Sequence, residues 1–269
     1  MQFNQQPKSP KPSRFTVKSK WLMAFGVIFT ACAALVGCKG GNMIDANTMF
    51  KDEGEIKLAK AAQKGDVKAI KTLVAEGVDP NAKTIDKHGY PLLIWALLHQ
   101  NEKGLIALLE AGADPTEFSS EGRTVLHFAA RGDNSRWLTL LLEHGLDPDL
   151  RNGKNGETPL VDAIMGGNKK NFDILLAAGA DVNARRNPIR KGTVGRTVLH
   201  EAAAANSNDR VMDLLAAGAD PTALNAHGNT FQRYFFGMNE EIMTEEGKAQ
   251  REQLRTWLRE RNIPVEDGR

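Results

Sequence analysis

The apolar positions of this chain follow two different patterns. Residues 21–36 form an unbroken run without a charged side chain, WLMAFGVIFTACAALV. From about residue 54 onward, apolar residues recur instead in short alternating segments. Some segments carry an alanine pair such as Ala129-Ala130, and others carry a leucine pair such as Leu141-Leu142. This alternation predicts a thin, alanine-rich helix followed by a bulkier helix, repeated along the chain.

Two phrases return at a fixed distance. GRTVLHFAARGD begins at Gly122, and related phrases begin at Gly156 and Gly195; each is followed by a second phrase of the form AAGADPT. The leading glycines are 35, 33, 34, 39 and 33 residues apart: Gly54, Gly89, Gly122, Gly156, Gly195 and Gly228. In five units a second glycine lies 23 residues after the first: Gly77, Gly112, Gly145, Gly179 and Gly218. Self-similarity at this period predicts stacked repeat units.

These phrases resemble the ankyrin repeat, which has a period of about 33 residues and a T-P-L-H-x-A signature. The resemblance covers residues 54–262, with frames near 54, 89, 122, 156, 195 and 228, and leaves residues 263–269 as a tail. It implies an all-α repeat solenoid of about six helix pairs joined by hairpin-like turns. The first and last units depart from the signature, and Leu254, Trp257 and Leu258 share one face of a charged final helix. We therefore expect capping units at both ends.

Several recurring polar residues have structural interpretations. The threonines after the leading glycines are expected to cap the first helix of each unit: Thr124, Thr158, Thr197 and Thr230. In the ankyrin family, the histidine represented here by His127 and His200 bonds between neighbouring units. The recurring aspartates are expected to form the turn after the second helix: Asp79, Asp114, Asp147, Asp181 and Asp220.

The first 38 residues have the pattern of a secretory signal. Five basic residues and no acidic residue precede the apolar run, and Gly37-Cys38 closes it. The run is short for a membrane span, which needs about 20 apolar residues. Leu35-Val36-Gly37-Cys38 resembles the lipobox of bacterial lipoproteins, which implies cleavage before Cys38 and lipid on its thiol. Residues 1–37 would then be the signal peptide, and residues 38–53 the lipidated N-terminus and tether.

Other interpretations of the two cysteines are weaker. An uncleaved signal anchor is the main alternative, and an ordinary signal peptide is a third. A disulfide between Cys32 and Cys38 is disfavoured because Cys32 would be removed with the signal. Zinc is disfavoured because no histidine or second cysteine pair lies nearby. The lipoprotein interpretation predicts a bacterial envelope protein facing the periplasm. Lys39, in place of an aspartate, follows Cys38 and favours the outer membrane over the inner membrane.

The net charge and the motifs of the chain narrow the classes of function that it can have. Removal of the five basic residues changes the formal charge from +2 to −3, which argues against a nucleic-acid binder. The chain has no H-x-x-x-H pattern, no glycine-rich phosphate loop and no G-x-S-x-G motif. We expect neither catalytic residues nor a metal or cofactor, and an enzyme or small-ligand protein is a minor alternative.

A solenoid of this kind binds other proteins on its concave face. By register, the candidate residues lie at the turns around each leading glycine and along the first helix. They are Lys87, His88, Tyr90, Leu98, His99, Glu121, Arg123, Arg131, Lys154, Asn155, Glu157, Met165, Arg196, Ala205, His227 and Asn229.

The 39-residue spacing marks an insertion, NARRNPIRKGTVG, before Gly195. It adds Arg185, Arg186, Arg190 and Lys191 to the candidate surface, with no acidic residue. Insertions in repeat proteins often lie on the binding face. We expect these side chains to meet an acidic patch on a protein; a solvated loop and anionic lipid head groups are the alternatives.

The sequence therefore predicts a monomeric, lipid-anchored envelope protein that binds another protein as a scaffold or adaptor. The alternative is an immunity lipoprotein that neutralises a type VI secretion toxin such as a lipase. That alternative is an analogy at the level of the fold.

The lipobox generates a direct prediction. Cys38→Ala should block both acylation and cleavage, because the thiol is the acylated group. Mass spectrometry of the mature N-terminus should find lipid on Cys38 in the wild-type chain and a full-length, unmodified chain in the variant. An unmodified Cys38 within a full-length wild-type chain would instead support the signal anchor.

Overall fold

The computed structural model describes residues 45–187 and 195–267. The signal peptide, Cys38 and the first part of the tether lie outside these residues. So do Arg190 and Lys191 of the insertion, and the interpretations of all these segments stay predictions.

The described residues are helical, as predicted. They form thirteen α-helices and one 3₁₀ helix, and their β pairing is limited to two isolated bridges. The helices are α1 (Ala46–Met49), α2 (Glu53–Lys64), α3 (Val67–Ala75), α4 (Leu92–Leu98), α5 (Glu102–Glu110), α6 (Val125–Arg131), α7 (Ser135–Glu143), α8 (Pro159–Met165), α9 (Lys169–Ala177), α10 (Val198–Ala204), α11 (Asn208–Ala216), α12 (Gln232–Phe235), the 3₁₀ helix (Glu240–Ile242) and α13 (Glu245–Glu260).

Helices α2 to α13 form six successive pairs, or units. The first helices, called inner helices here, pack side by side in the order α2, α4, α6, α8, α10 and α12. The second, outer helices form another layer, in which α3 contacts α5, α7 contacts α9 and α11 contacts α13. The predicted solenoid of about six helix pairs is confirmed.

The core lies between successive units. The first leucine of each outer-helix pair is fully buried: Leu108, Leu141, Leu175 and Leu214. Burial of one such side chain stabilises the fold by about 1.5–3 kcal/mol. The alanine pair Ala202-Ala203 is at most 4% exposed, because small side chains let neighbouring inner helices approach closely. Each unit therefore depends on its neighbours to cover its apolar face.

Buried histidines connect units, as the family resemblance implied. Thr197 is the N-cap of α10, and its Oγ1 lies 2.7 Å from Nδ1 of His200. Nε2 of the same ring lies 3.0 Å from the carbonyl oxygen of Asn229 in the next unit. His127 forms the equivalent pair of contacts with Thr124 and with the carbonyl oxygen of Glu157. Since each Nε2 faces a carbonyl oxygen, it is the nitrogen that carries the proton and donates.

The recurring aspartates are turn residues, as predicted. In each turn the aspartate Oδ1 accepts a hydrogen bond from the backbone N–H two residues later, at 2.8–2.9 Å. Three turns are also joined to the next unit through a side chain two residues after the aspartate. Asn81, Asp149 and Asn183 accept from the N–H groups of the following turns at 2.7–2.9 Å. The spacing of these turns is therefore fixed by hydrogen bonds between backbone N–H groups and side-chain oxygens.

The folded body begins before the predicted boundary at residue 54. Helix α1 lies within the segment assigned to the tether, and Phe50 is only 2% exposed. The Phe50 ring meets the Trp95 ring edge to face, with centroids 5.3 Å apart. Asp52 then caps α2 in a reciprocal capping box with Glu55. Residues 45–53 thus pack on the first unit and also on the second unit, to which Trp95 of α4 belongs.

The predicted tail also packs on the body. Gln232 Nε2 donates to the carbonyl oxygen of Pro264, at 3.1 Å, and Thr230 Oγ1 donates to Glu266, at 2.9 Å. Thr230 was predicted to cap α12. The residue before that helix is Phe231, but Thr230 Oγ1 accepts a hydrogen bond from the N–H of Gln232, the first residue of the helix, at 3.2 Å. The last unit is therefore closed by α13 and by the residues that follow it.

Within residues 45–187 and 195–267, no helix is both long enough and apolar enough to cross a membrane.

The buried histidines predict a pH dependence of stability. Burial lowers the pKa of His127 and of His200 below the ordinary value of 6.5. The folded state then binds a proton less readily than the unfolded chain, so stability is complete above about pH 6.5 and is lost as the pH falls. Urea unfolding of the wild-type chain should show this loss between pH 7 and pH 5.5, at up to about 1.4 kcal/mol per pH unit for each histidine.

The double variant His127→Gln/His200→Gln supplies the comparison. It should be less stable at pH 7.5, because two contacts between units are altered, but its stability should change less over the same pH range. A variant with the same slope as the wild-type chain would show that other groups cause the pH dependence.

Candidate functional site

The inner helices bring equivalent positions of successive units into line. The position after the signature histidine is Phe128 in α6, Asp162 in α8, Glu201 in α10 and Tyr234 in α12. Adjacent packed helices lie about 8–10 Å apart, so charged side chains from neighbouring units can meet at this face. Two of the four residues are carboxylates buried in the helix layer.

Asp162 binds two arginines of the preceding unit. Its side chain is 2% exposed and its Oδ1 lies 3.2 Å from Arg123 Nε and 3.2 Å from Arg131 Nη1. Arg123 comes from the turn before α6, whereas Arg131 is the last residue of that helix. Arg123 also lies 3.1 Å from Glu121 Oε2. The buried carboxylate of Asp162 thus binds arginines at both ends of α6.

Glu201, one unit further along, also binds two arginines, but Arg196 belongs to its own unit and Arg186 to the segment before Gly195. Its side chain is 5% exposed and lies 2.9 Å from Arg186 Nη1 and 3.5 Å from Arg196 Nη1. Arg186 also reaches Glu157 in the preceding unit, at 3.4 Å. The Arg196 guanidinium lies over the ring of Tyr234, 4.5 Å from its centroid. The chain of contacts therefore continues into the last unit.

Aromatic rings end the charged surface on the other side. The His88 ring stacks on Tyr90, with centroids 5.0 Å apart, and Tyr90 meets Phe128 edge to face at 5.5 Å. His88 Nδ1 also lies 3.5 Å from Glu121 Oε1. Tyr90 is only 7% exposed, and it therefore positions the turn more than it faces solvent.

We call the four aligned guanidinium groups the arginine row: Arg123, Arg131, Arg186 and Arg196. Their side chains are 24–35% exposed, whereas the two central carboxylates beneath them are at most 5% exposed. Glu121 and Glu157 also contact the row, so its four arginines meet four carboxylates. These two acids are 23% and 15% exposed, and the four arginines are the more exposed groups.

The burial of the acids affects titration. Burial raises the pKa of Glu157, although Arg186 opposes the shift. Burial also acts to lower the pKa of Arg123, but the carboxylates of Asp162 and Glu121 outweigh it and raise the value. The guanidinium group of Arg123 therefore stays charged across the physiological range.

The structure brings eight of the predicted residues into this one network. They are His88, Tyr90, Glu121, Arg123, Arg131, Glu157, Arg186 and Arg196. Lys87 and Lys154 are exposed at the turn tips, and His99 packs on the Trp95 ring with centroids 4.1 Å apart.

Arg185 has a different position from Arg186. Its Nη1 donates to the carbonyl oxygens of Gly195, at 3.0 Å, and Leu224, at 2.9 Å. The Arg185 side chain therefore connects the backbone at Gly195 to the backbone of the next turn at Leu224. Arg185 does not belong to the arginine row, because its Nη1 donates to backbone carbonyl oxygens and not to the buried carboxylates.

Sequence reasoning missed Asp162, Glu201 and Tyr234 as parts of the surface. A signal was present, since all three occupy one register position of the repeat. The arginine partners of Asp162 are far away in sequence, however, at 39 and 31 residues. Among the described residues, no group of three or more His, Cys, Asp or Glu side chains could hold a metal ion.

Comparison with known proteins agrees with this architecture. The family model "Ankyrin repeats (3 copies)" matches residues 24–119 and 114–186, and the model "Ankyrin repeat" matches residues 194–226. The chain belongs to the ankyrin-repeat family, whose stacked units form surfaces for binding other proteins.

Two relatives and one solved structure illustrate the range of the family. The protein PhlB of Serratia liquefaciens is 32% identical over 187 residues, which cover 68% of this chain and 78% of PhlB. The mouse B-cell lymphoma 3 protein homolog is 32% identical over 165 residues, but the match spans only 35% of its length. The crystal structure of the Bcl-3 ankyrin repeat domain has a TM-score of 0.53 at 25% identity, covering 68% of this chain and 95% of that domain.

The buried position of Asp162 predicts that removing its charge destabilises the fold more than removing the charge of an exposed acid. Asp162→Asn should lower the free energy of unfolding by about 1–3 kcal/mol, because Arg123 and Arg131 lose a charged partner. Asp173→Asn is the matched control, since Asp173 pairs with Lys169 on an outer helix and is 50% exposed. The control should change stability by less than about 0.5 kcal/mol. Equal losses in urea unfolding would show that Asp162 does not hold the row.

Proposed function

We propose that this chain is a lipid-anchored protein of the bacterial envelope that binds an acidic surface of another protein as a scaffold or adaptor. The arginine row is the contact surface, and Cys38 carries the lipid. The observation that supports the proposal most directly is the burial of the carboxylates beneath guanidinium groups that reach solvent.

The geometry suits recognition of carboxylates. A guanidinium presents five N–H donors in a rigid plane and pairs with carboxylates through two parallel hydrogen bonds. The buried acids orient the row before a partner arrives. Arg123 and Arg131 are fixed through Asp162, and Arg186 and Arg196 through Glu201. Less side-chain freedom is then lost on binding, which favours affinity.

The charge of the whole domain strengthens this preference. The chain after the signal has a formal charge of −3 by the count above, so an acidic partner is repelled by much of the surface and attracted to the row. This contrast orients the encounter between the two proteins. The exposed Lys87 and Lys154 at the turn tips extend the attraction.

Toxin immunity would use the same surface. A rigid row of arginines that covers an acidic rim around the active site of a secreted toxin, such as a lipase, would block access of substrate. The similarity to a bacterial protein over most of both chains is compatible with either role. A gene for a toxin beside this gene, and rescue of cells from that toxin, would favour immunity over a scaffold.

The test replaces Arg131 and Arg196 with serine in the full chain. Asp162 then keeps Arg123 and Glu201 keeps Arg186, so the fold should be retained. Arg136→Ser is the matched control, because Arg136 is 51% exposed and pairs with Glu102 on the outer helices.

Partners captured from envelope membranes by cross-linking should be purified and their association rates measured at several salt concentrations. We expect Arg131→Ser/Arg196→Ser to slow association and to reduce its salt dependence, because long-range attraction acts mainly on the encounter rate. The control should behave as the wild-type chain does. Unchanged association and salt response in the double variant would refute the arginine row as the contact surface.

A further inference from the structure

A groove opens where the last unit departs from the repeat. Its volume is about 470 Å³, and it lies between the helix connections of units four and five and the segment that leads to α13. Its apolar lining is Ala163, Ile164, Met238, Ile242 and Met243. We call this feature the cap groove.

The cap groove exists because the sixth inner helix is short. Helix α12 has only four residues, against seven in α6, α8 and α10. After it the chain turns away through Gly237 into the 3₁₀ helix. A full-length inner helix would have continued the layer; after its early end, residues 238–247 instead supply one wall of the groove, while residues 198–203 of α10 stay buried.

Two buried arginines hold the wall of the groove in place. Arg251, with a side chain 3% exposed, donates to the carbonyl oxygen of Met238 at 2.6 Å. Arg255 lies 2.7 Å from Glu240 and 2.9 Å from Asp267. The backbone of the wall is therefore fixed, while the side chains of Met238 and Ile242 project from it.

Large apolar side chains are exposed around this groove. Ile242 is 76% exposed and Met238 is 41% exposed. Met165, at the end of α8 beside Ile164 of the lining, is 40% exposed. These are three of the seven large hydrophobic side chains that are exposed within the described residues. Methionine is flexible and adapts to apolar groups of different shape, and clustered exposed apolar side chains mark an interaction site.

The cap groove and the arginine row adjoin. Met165 occupies in α8 the position that Arg131 occupies in α6, each being the last residue of its helix. Neighbouring helices lie about 8–10 Å apart, so one extended or helical segment can contact both. At the rim of the groove, Asp209 and Glu246 oppose an acidic side chain, and the guanidinium of Arg210, which also lines the groove, is paired with Asp213. The acids of a bound segment are thereby directed to the arginines and its apolar group to the groove.

We propose that the cap groove receives a large apolar side chain from the same acidic partner segment that crosses the arginine row. This inference rests on the proposed function, and it specifies the partner further. The segment carries aspartate or glutamate residues on the side that faces the arginine row. A leucine, isoleucine, methionine or phenylalanine lies beyond them, toward the last unit.

The probe is a displayed library of random 16-residue peptides, selected on the full chain. Selected peptides should combine several acidic residues with at least one large apolar residue. Fluorescence anisotropy of a selected peptide then gives dissociation constants for the variants. Ile242→Ser/Met238→Ser should bind about tenfold or more weakly, because one buried apolar contact is lost, and the salt dependence of its binding should be unchanged.

The matched control is Ile85→Ser. Ile85 is 62% exposed and lies in the turn before α4, far along the chain from the groove. Its substitution should leave peptide affinity unchanged. Arg131→Ser/Arg196→Ser should instead reduce the salt dependence.

Each outcome separates the two proposals. Acid-only peptides whose affinity is indifferent to Ile242 and Met238 would overturn the groove inference and leave the arginine row intact. Apolar peptides that need the groove but ignore the arginines would refute the proposed function. A second copy of this chain as occupant would appear as concentration-dependent dimerisation that Ile242→Ser/Met238→Ser abolishes, and would overturn the partner assignment.

Discussion

The fold depends on contact between neighbouring units. An isolated helix pair leaves the alanine face of its inner helix and the leucine face of its outer helix exposed to water. Stacking covers both, as the full burial of Leu141 and Leu175 shows. Because this burial involves only adjacent units, the stability of the domain is a sum of local terms. The hydrogen bonds of the histidines and those between turns fix the spacing of the units, since each joins one unit to the next.

Stacking also converts distance in sequence into contact in space. Residues about 34 positions apart occupy the same register of adjacent helices, and a charge in one unit can then meet its partner in the next. Asp162 uses this geometry to bind two arginines of the preceding unit, whereas Glu201 binds Arg196 of its own unit and Arg186 from the segment before Gly195. A buried carboxylate with two partly exposed arginines is compensated inside and cationic outside. The arrangement therefore stabilises the layer and shapes the surface that it presents.

The ends of the stack are where the repeat must change. At the first unit, α1 packs on α2, and the buried Phe50 joins this segment to Trp95 of the second unit. At the last unit, α13 and the two buried arginines Arg251 and Arg255 close the stack. Helix α12 is short where the stack is closed, and the segment that follows it forms one wall of the cap groove. Irregularity at a boundary thus produces both a solvent-compatible end and a concave site of mixed polar and apolar lining.

The sequence by itself determined the repeat period, the helix pairs, the turn aspartates and the histidine bonds. These features depend on residues within one unit or at a constant offset to the next, so a periodic pattern specifies them. Burial of Phe50, the packing of residues 263–267 and the separation of Arg185 from Arg186 were decided only by tertiary structure. So was the role of Asp162, because neither of its arginine partners lies near it in the sequence. Its function appears only when stacking brings arginines from 31 and 39 residues away to the same carboxylate.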